Sequence, residues 1–163
     1  GSEMCIRDRY TPLEIPDEPG GHDRPGRKTA ADYLAEGRVA PREDPDRFFT
    51  DRELSTAHRP RDLGYDVISI DDSSELPDAD ALVNMLPVEI KNTAVGTENA
   101  VFKQVARASV KTDRVVLDAV GAPLDLATAT VGIRNVVRVN GRALCEVLVF
   151  LGTGEPVFWS RDE

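Results

Sequence analysis

At 163 residues, 40% of them apolar, the chain suits one compact domain with a tail and can bury a real core. Its 29 acidic residues outnumber 20 basic ones, for a formal net charge of −9. That balance excludes an ordinary basic nucleic-acid binder unless positive charge is concentrated locally, because phosphate contact supplies most non-specific affinity. No apolar run reaches the roughly 18 residues of a membrane span and no charged-then-apolar leader is present, so the chain as it stands reads as soluble.

Residues 1–9, reading Gly-Ser-Glu-Met-Cys-Ile-Arg-Asp-Arg, match the translation of a transposon-type sequencing adapter and are set apart from the fold. Met4 is then not expected to be a biological start, and the natural chain is expected to continue upstream. Residues 10–47 are rich in Pro, Gly and charge, with Gly20-Gly21-His22-Asp23-Arg24-Pro25-Gly26 at their centre, and read as a linker or loosely attached segment. Within it a short helix is expected over Thr29 to Glu36, capped by Thr29. The domain proper is expected to span residues 48–163, entered through Phe48-Phe49.

Thr50 or Asp51 caps a predicted helix through Glu53, Leu54 and Ala57, which Pro60 should end or kink. Tyr65 to Ile70 alternates as a strand after Gly64, and Asp71-Asp72-Ser73-Ser74 reads as a loop. Gly96-Thr97 breaks the chain and caps a helix over Glu98 to Lys111. Arg114 to Val120 is nearly continuous apolar strand, the mark of burial on both faces. Pro123 suits the first turn of a helix ending near Gly132. Val136 to Val139 and Ala143 to Leu151 are predicted strands around an Asn140-Gly141 turn, and Gly152-Thr153-Gly154 turns into Val157-Phe158-Trp159. The result is an α/β (α+β) domain, a mixed sheet flanked by helices with core order α-β-β-β-α-β and a C-terminal β-hairpin.

One stretch looks like chemistry. In Asp78-Ala79-Asp80-Ala81-Leu82-Val83-Asn84-Met85-Leu86-Pro87-Val88-Glu89-Ile90-Lys91, two acids lead into a short strand, a turn and an acid-x-lysine. Asn84-Met85 reads as the two-residue turn, since Asn tolerates positive φ. That register sets Asp80 opposite Glu89 and Asp78 opposite Lys91. Ala81, Val83, Val88 and Ile90 share the buried face, and the acids and lysine share the other. Opposed Cβ atoms lie roughly 4.5 to 5.5 Å apart. Carboxylates that close need a shared proton, a cation or a divalent metal. The competing reading is a solvated hairpin face with no function.

Lys103, Arg107 and Lys111 recur at helical spacing with Arg114 just beyond, a local basic stripe that is otherwise a solvated helix face. With the first nine residues set apart, Cys145 is the single cysteine and reads as a small buried residue; disulfide scaffolds and cysteine-rich zinc sites are excluded. His22 and His58 are too few and too separated for a histidine metal site, though His58 could act as acid or base if brought to the hairpin.

Asp80 with Glu89-x-Lys91 resembles the PD-(D/E)xK signature of restriction-endonuclease-like, metal-dependent nucleases. The surrounding order is Glu53 on a helix, Gly64-Tyr65-Asp66-Val67 entering a strand, the hairpin, a helix bearing Lys103-Gln104, then Asp113 to Asp118. This is similar to the C-terminal toxin domains of contact-dependent inhibition and other polymorphic toxins, particularly CdiA-type tRNA nucleases, over about residues 50–160. The resemblance implies Mg²⁺ held by Asp80 and Glu89 with Asp78 in reserve. The family's Pro-Asp pair occurs here as Pro77-Asp78, so either aspartate can be the ligand. It further implies Lys91 positioning water or developing charge, Glu53 completing the acids, and Lys103, Gln104, Arg107 and Lys111 gripping the backbone of a tRNA or other nucleic acid. A cognate immunity protein, upstream delivery domains and action in the cytoplasm of a target cell after surface delivery follow from the same likeness. Two other readings stand beside it: a metal-independent ribonuclease of the barnase, EndoU and colicin class using Lys91, His58 and Thr93, and a non-catalytic acidic partner-binding module.

Overall fold

Three threonines start three of the helices. In the computed structural model, which describes residues 10–15, 27–72, 78–140 and 143–161, Thr29, Thr50 and Thr97 lie in extended backbone and accept an orphan helical N–H through the hydroxyl. They open α1 (Ala30–Ala35), α2 (Asp51–Asp62) and α3 (Glu98–Lys111). Asp32 and Glu53 close full capping boxes in the first two. Pro60 does not end α2; it occupies the last turn, where the missing N–H costs a single hydrogen bond. A fourth helix, α4 (Leu126–Asn140), begins at Asp125, whose carboxylate accepts from Thr128 N at 2.8 Å.

The strands are β1 (Thr11–Pro12), β2 (Val67–Ser69), β3 (Ala81–Val83), β4 (Leu86–Asn92), β5 (Arg114–Asp118), β6 (Glu146–Phe150) and β7 (Pro156–Ser160), in one mixed sheet of order β1-β7-β6-β5-β4-β3-β2. The centre, β4-β5-β6, is parallel; β2-β3-β4 and β6-β7 are antiparallel, and β1 pairs parallel to β7. From α2 to β5 the elements run α-β-β-β-α-β. Helices α3 and α4 cover one face, where Val101, Val105, Ile133 and Val136 pack on Val115, Leu117, Val147 and Val149. Ala57 of α2 packs with Val83, Val88, Ile90 and Val116 on the other. No helix among the described residues is long and apolar enough to cross a membrane.

Two readings of the sequence change. Val136 to Val139 is the last part of α4 rather than a strand, and the helix that should end near Gly132 runs to Asn140. Ala129, Gly132, Ile133, Val136 and Val137 are its buried residues, a helical stripe that overrode the β propensity of the valines. Gly132 carries the packing: a Cβ there would lie 2.7 Å from Val101. The C-terminal hairpin is therefore β6-β7 about Gly152-Thr153-Gly154, with Leu151 N and Glu155 O closing it at 2.9 Å.

The described parts of residues 10–47 are docked rather than loose. Tyr33 is 2% exposed, Val39 bridges Ile70, and Ala40 N donates to Ser69 O at 3.0 Å. A few apolar residues in a polar segment find a small core of their own with Ile70, Ala79 and Leu82. Residues 1–9, the Gly-rich centre of the expected linker with His22, Pro77 and Gly141 lie outside the described residues.

Candidate active site

The hairpin forms in the expected register. Ala81 pairs with Val88, Leu82 with Pro87 and Val83 with Leu86. Asn84 and Met85 both take positive φ, 48° and 65°, the mark of a type I′ turn. The ladder then bends at Asp80. Its N–H donates to Val88 O at 3.0 Å, and its Oδ2 accepts from Ile90 N at 2.8 Å. The side chain has taken the backbone's place as partner of β4, so Asp80 still lies against Glu89.

Both acids are buried, Asp80 at 6% exposure and Glu89 at 1%. That rules out a solvated hairpin face. Glu89 Oε2 lies 3.2 Å from Lys111 Nζ and 3.8 Å from Lys91 Nζ. Neither of its oxygens has a hydrogen bond of good geometry, so two lysines supply its compensation by charge alone. Burial raises the Asp80 carboxyl far above its ordinary range, and the neighbouring Glu89 carboxylate raises it further. Glu53, on the first turn of α2, is pushed up to about 7 by burial and by Asp80, against a partial offset from the Thr50 cap. Glu53 and Asp80 thus lie in a row with Glu89 but have no ion pair of their own among the described residues, while Glu89 keeps the two lysines.

These groups open into a cleft of about 430 Å³. Of the residues singled out in the sequence, Glu53, Asp80, Glu89, Lys91, Gln104, Arg107 and Lys111 line it. Two do not. Lys103 is exposed on α3, one residue round from Gln104, because the helical stripe turns away from the hairpin. Asp78 points elsewhere: it pairs with Arg38 Nη2 at 2.6 Å and Lys28 Nζ at 3.5 Å, and accepts from Tyr33 OH at 3.5 Å. Its expected position opposite Lys91 is lost where the strand bends at Asp80, and with it the geometry of a reserve ligand.

Asp72 is an acid of the cleft that the sequence reading missed. One carboxylate oxygen each from Glu53, Asp72 and Asp80 lie within 4.8 Å of one another. Its only sequence signal is the Asp71-Asp72 pair closing a strand before the acidic hairpin. All-oxygen donors, with the Glu53 and Asp80 carboxyls raised by burial and by carboxyl neighbours, suit a hard divalent ion such as Mg²⁺. His58 is exposed on α2 and outside this lining, and Thr93 Oγ1 is taken up by Val95 in a local turn. Cys145 is half-buried with its Sγ 3.4 Å from Asp113 Oδ2, and burial pushes the thiol up to about 11, which makes it a poor nucleophile.

Fold and cleft together define an α/β domain with a buried acid-x-lysine hairpin at the mouth of a mixed sheet. No protein-family model matches the chain, and no curated protein matches it by sequence. In structure it is similar to a chain of the CdiA-CT/CdiI toxin and immunity complex from Burkholderia pseudomallei, at a TM-score of 0.54 and 14% identity, over 92% of this chain and 99% of that one. The likeness is one of fold.

Proposed function

We propose that this chain is a toxin domain of the contact-dependent inhibition type that hydrolyses phosphodiester bonds in nucleic acid, with tRNA as substrate. The observation that carries it is the convergence of Glu53, Asp80 and Glu89 with Lys91, Arg107 and Lys111 in one cleft. An immunity protein has no need of buried, under-compensated carboxylates beside lysines, so the resemblance is read toward the toxin of that complex. Asp80 with Glu53 and Asp72 would hold Mg²⁺, and Glu89 would complete the negative site. When bound, the ion supplies Lewis acidity at the phosphate and lowers the pKa of water.

The chain's own residues do the rest. Lys91, a quarter exposed at the cleft, orients the attacking water or meets the negative charge that develops on the phosphate. Lys111 pairs with the buried Glu89 side chain at 3.2 Å and fixes it in the cleft. Gln104 and Arg107 present donors to the backbone of the substrate. The wider setting proposed is a cognate immunity protein that blocks the cleft, upstream delivery domains, and action in the target-cell cytoplasm.

The test is incubation of purified protein with total tRNA and with DNA, in Mg²⁺ or EDTA, beside Glu89→Ala and Lys91→Ala. Cleavage that needs Mg²⁺ and both side chains is the expected result. Cleavage indifferent to either substitution sinks the assignment, and cleavage surviving EDTA moves it to metal-independent chemistry.

A further inference from the structure

The acids stand in the middle of a trough. On one side the cleft continues into a basin of about 610 Å³ that shares Arg52 and Asn92 with it and is walled by Ser55 and Thr93. On the other side Lys111 is shared with a basin of about 350 Å³ lined by Leu86 and Pro87. A site built for a small phosphate ester has no use for two flanking basins, since one pocket of this size already encloses a ligand of several hundred daltons.

The cations along the trough fall into two sets. Lys91 and Lys111 are held on Glu89, and Arg59 is held on Asp118 at 2.7 Å. Arg52 and Arg107 form no ion pair with any described residue, yet both line the central cleft. Arg52 comes from the first turn of α2 and Arg107 from α3, helices that pack on opposite faces of the sheet. They therefore enter from the two walls. In a chain with 29 acidic residues, two guanidiniums left without a carboxylate beside an acid cluster are matched to an anion from outside, and a guanidinium's fork suits a phosphodiester.

We propose that the substrate is a nucleic-acid strand lying along this trough. Arg52 and Arg107 hold the phosphates on either side of the scissile one, and the basin between Arg52 and Thr93 receives the adjoining nucleotide. This rests on the nuclease reading and adds the path of the strand and a binding role for Arg52, which nothing in the sequence pattern marks.

The experiment compares wild type, Arg52→Ala, Arg107→Ala and the double variant, in Mg²⁺, on two diesters. One is a fluorescent oligonucleotide that the wild type cleaves; the other is bis(p-nitrophenyl) phosphate, which has no neighbouring phosphates. Each single variant is expected to lose about tenfold in kcat/KM on the oligonucleotide, chiefly through KM, and the slope of log kcat/KM against log salt should flatten by about one unit per arginine. The loss on the small diester should be several-fold smaller. Oligonucleotide cleavage at the wild-type rate and salt slope in both variants overturns the trough, as does an equal loss on both diesters. Wild-type protein that cleaves no nucleic acid overturns the nuclease reading itself, a failure that is distinct because it appears before any arginine is changed.

Discussion

Asp78 and Asp80 are two residues apart and equally buried, at 3% and 6% exposure, but their surroundings are opposite. Asp78 faces Arg38, Lys28 and the Tyr33 hydroxyl from the α1 segment and is paired with both cations. Asp80 faces Glu53, Glu89 and Asp72, and its carboxyl is pushed up by burial and by its neighbours. The first arrangement ties a polar segment to the domain. The second sets carboxyl groups side by side and gives Glu53 and Asp80 no ion pair among the described residues, which suits them to a bound cation.

The largest expected break in that comparison is in activity. Asp80→Ala or Glu89→Ala should lower cleavage about a hundredfold or more, whereas Asp78→Ala should stay within a few-fold per folded molecule. Single-turnover rates on tRNA, corrected for folded fraction, measure it, and equal losses at the two aspartates would dissolve the distinction.

Stability should show the reverse order. Asp78→Ala removes the buried partner of Arg38, which keeps Glu36 at 3.1 Å and the Asp71 carbonyl at 2.8 Å, and should cost about 2 kcal/mol in urea unfolding. Asp80→Asn removes a buried charge without a cation and, in EDTA at pH 8, should be neutral or stabilising by about 1 kcal/mol.

The acid cluster also sets a pH dependence. Glu53 at about 7 and Asp80 raised as well mean that, above the ordinary carboxyl range of about 4, the folded protein binds more protons than the unfolded chain. Stability of the metal-free protein should therefore fall as pH rises from about 5 to about 8. Asp80→Asn should make that slope shallower, while Asp78→Asn should leave it. Mg²⁺ should raise Tm at pH 8 and far less at pH 5, where protons compete for the same oxygens. A Tm in EDTA that rises with pH over this window would show that the acids are compensated.

The smallest effect is expected at His58. Exposed and outside the cleft lining, it should tolerate His58→Gln with less than about a twofold change in rate. A larger drop would bring back metal-independent ribonuclease chemistry.

Local signals were legible where they were short-range. Thr29, Thr50 and Thr97 announce their helices, and the helix from Glu98 to Lys111 is as the sequence reads it. Asn84-Met85 sets the hairpin register. Around Val136 the residue types favoured strand, and only packing of Gly132 on Val101 shows why the helix continues. The basic stripe on α3 was likewise half legible: spacing gave the face, but the angle at which it meets β4 brings Arg107 and Lys111 to Glu89 and leaves Lys103 outside.

By itself the sequence determined the mixed α/β order, the hairpin and the acid-x-lysine, because caps, turns and alternation act over a few residues. Tertiary structure alone decided that Asp78 turns away to Arg38 and Lys28, that Asp72 and Arg52 belong to the cleft, and that Asp80 and Glu89 are buried. Those outcomes depend on where α1, α2 and α3 dock against the bend at Asp80. Whether a carboxylate is paired or left wanting is set by neighbours distant in sequence, and no local pattern records them.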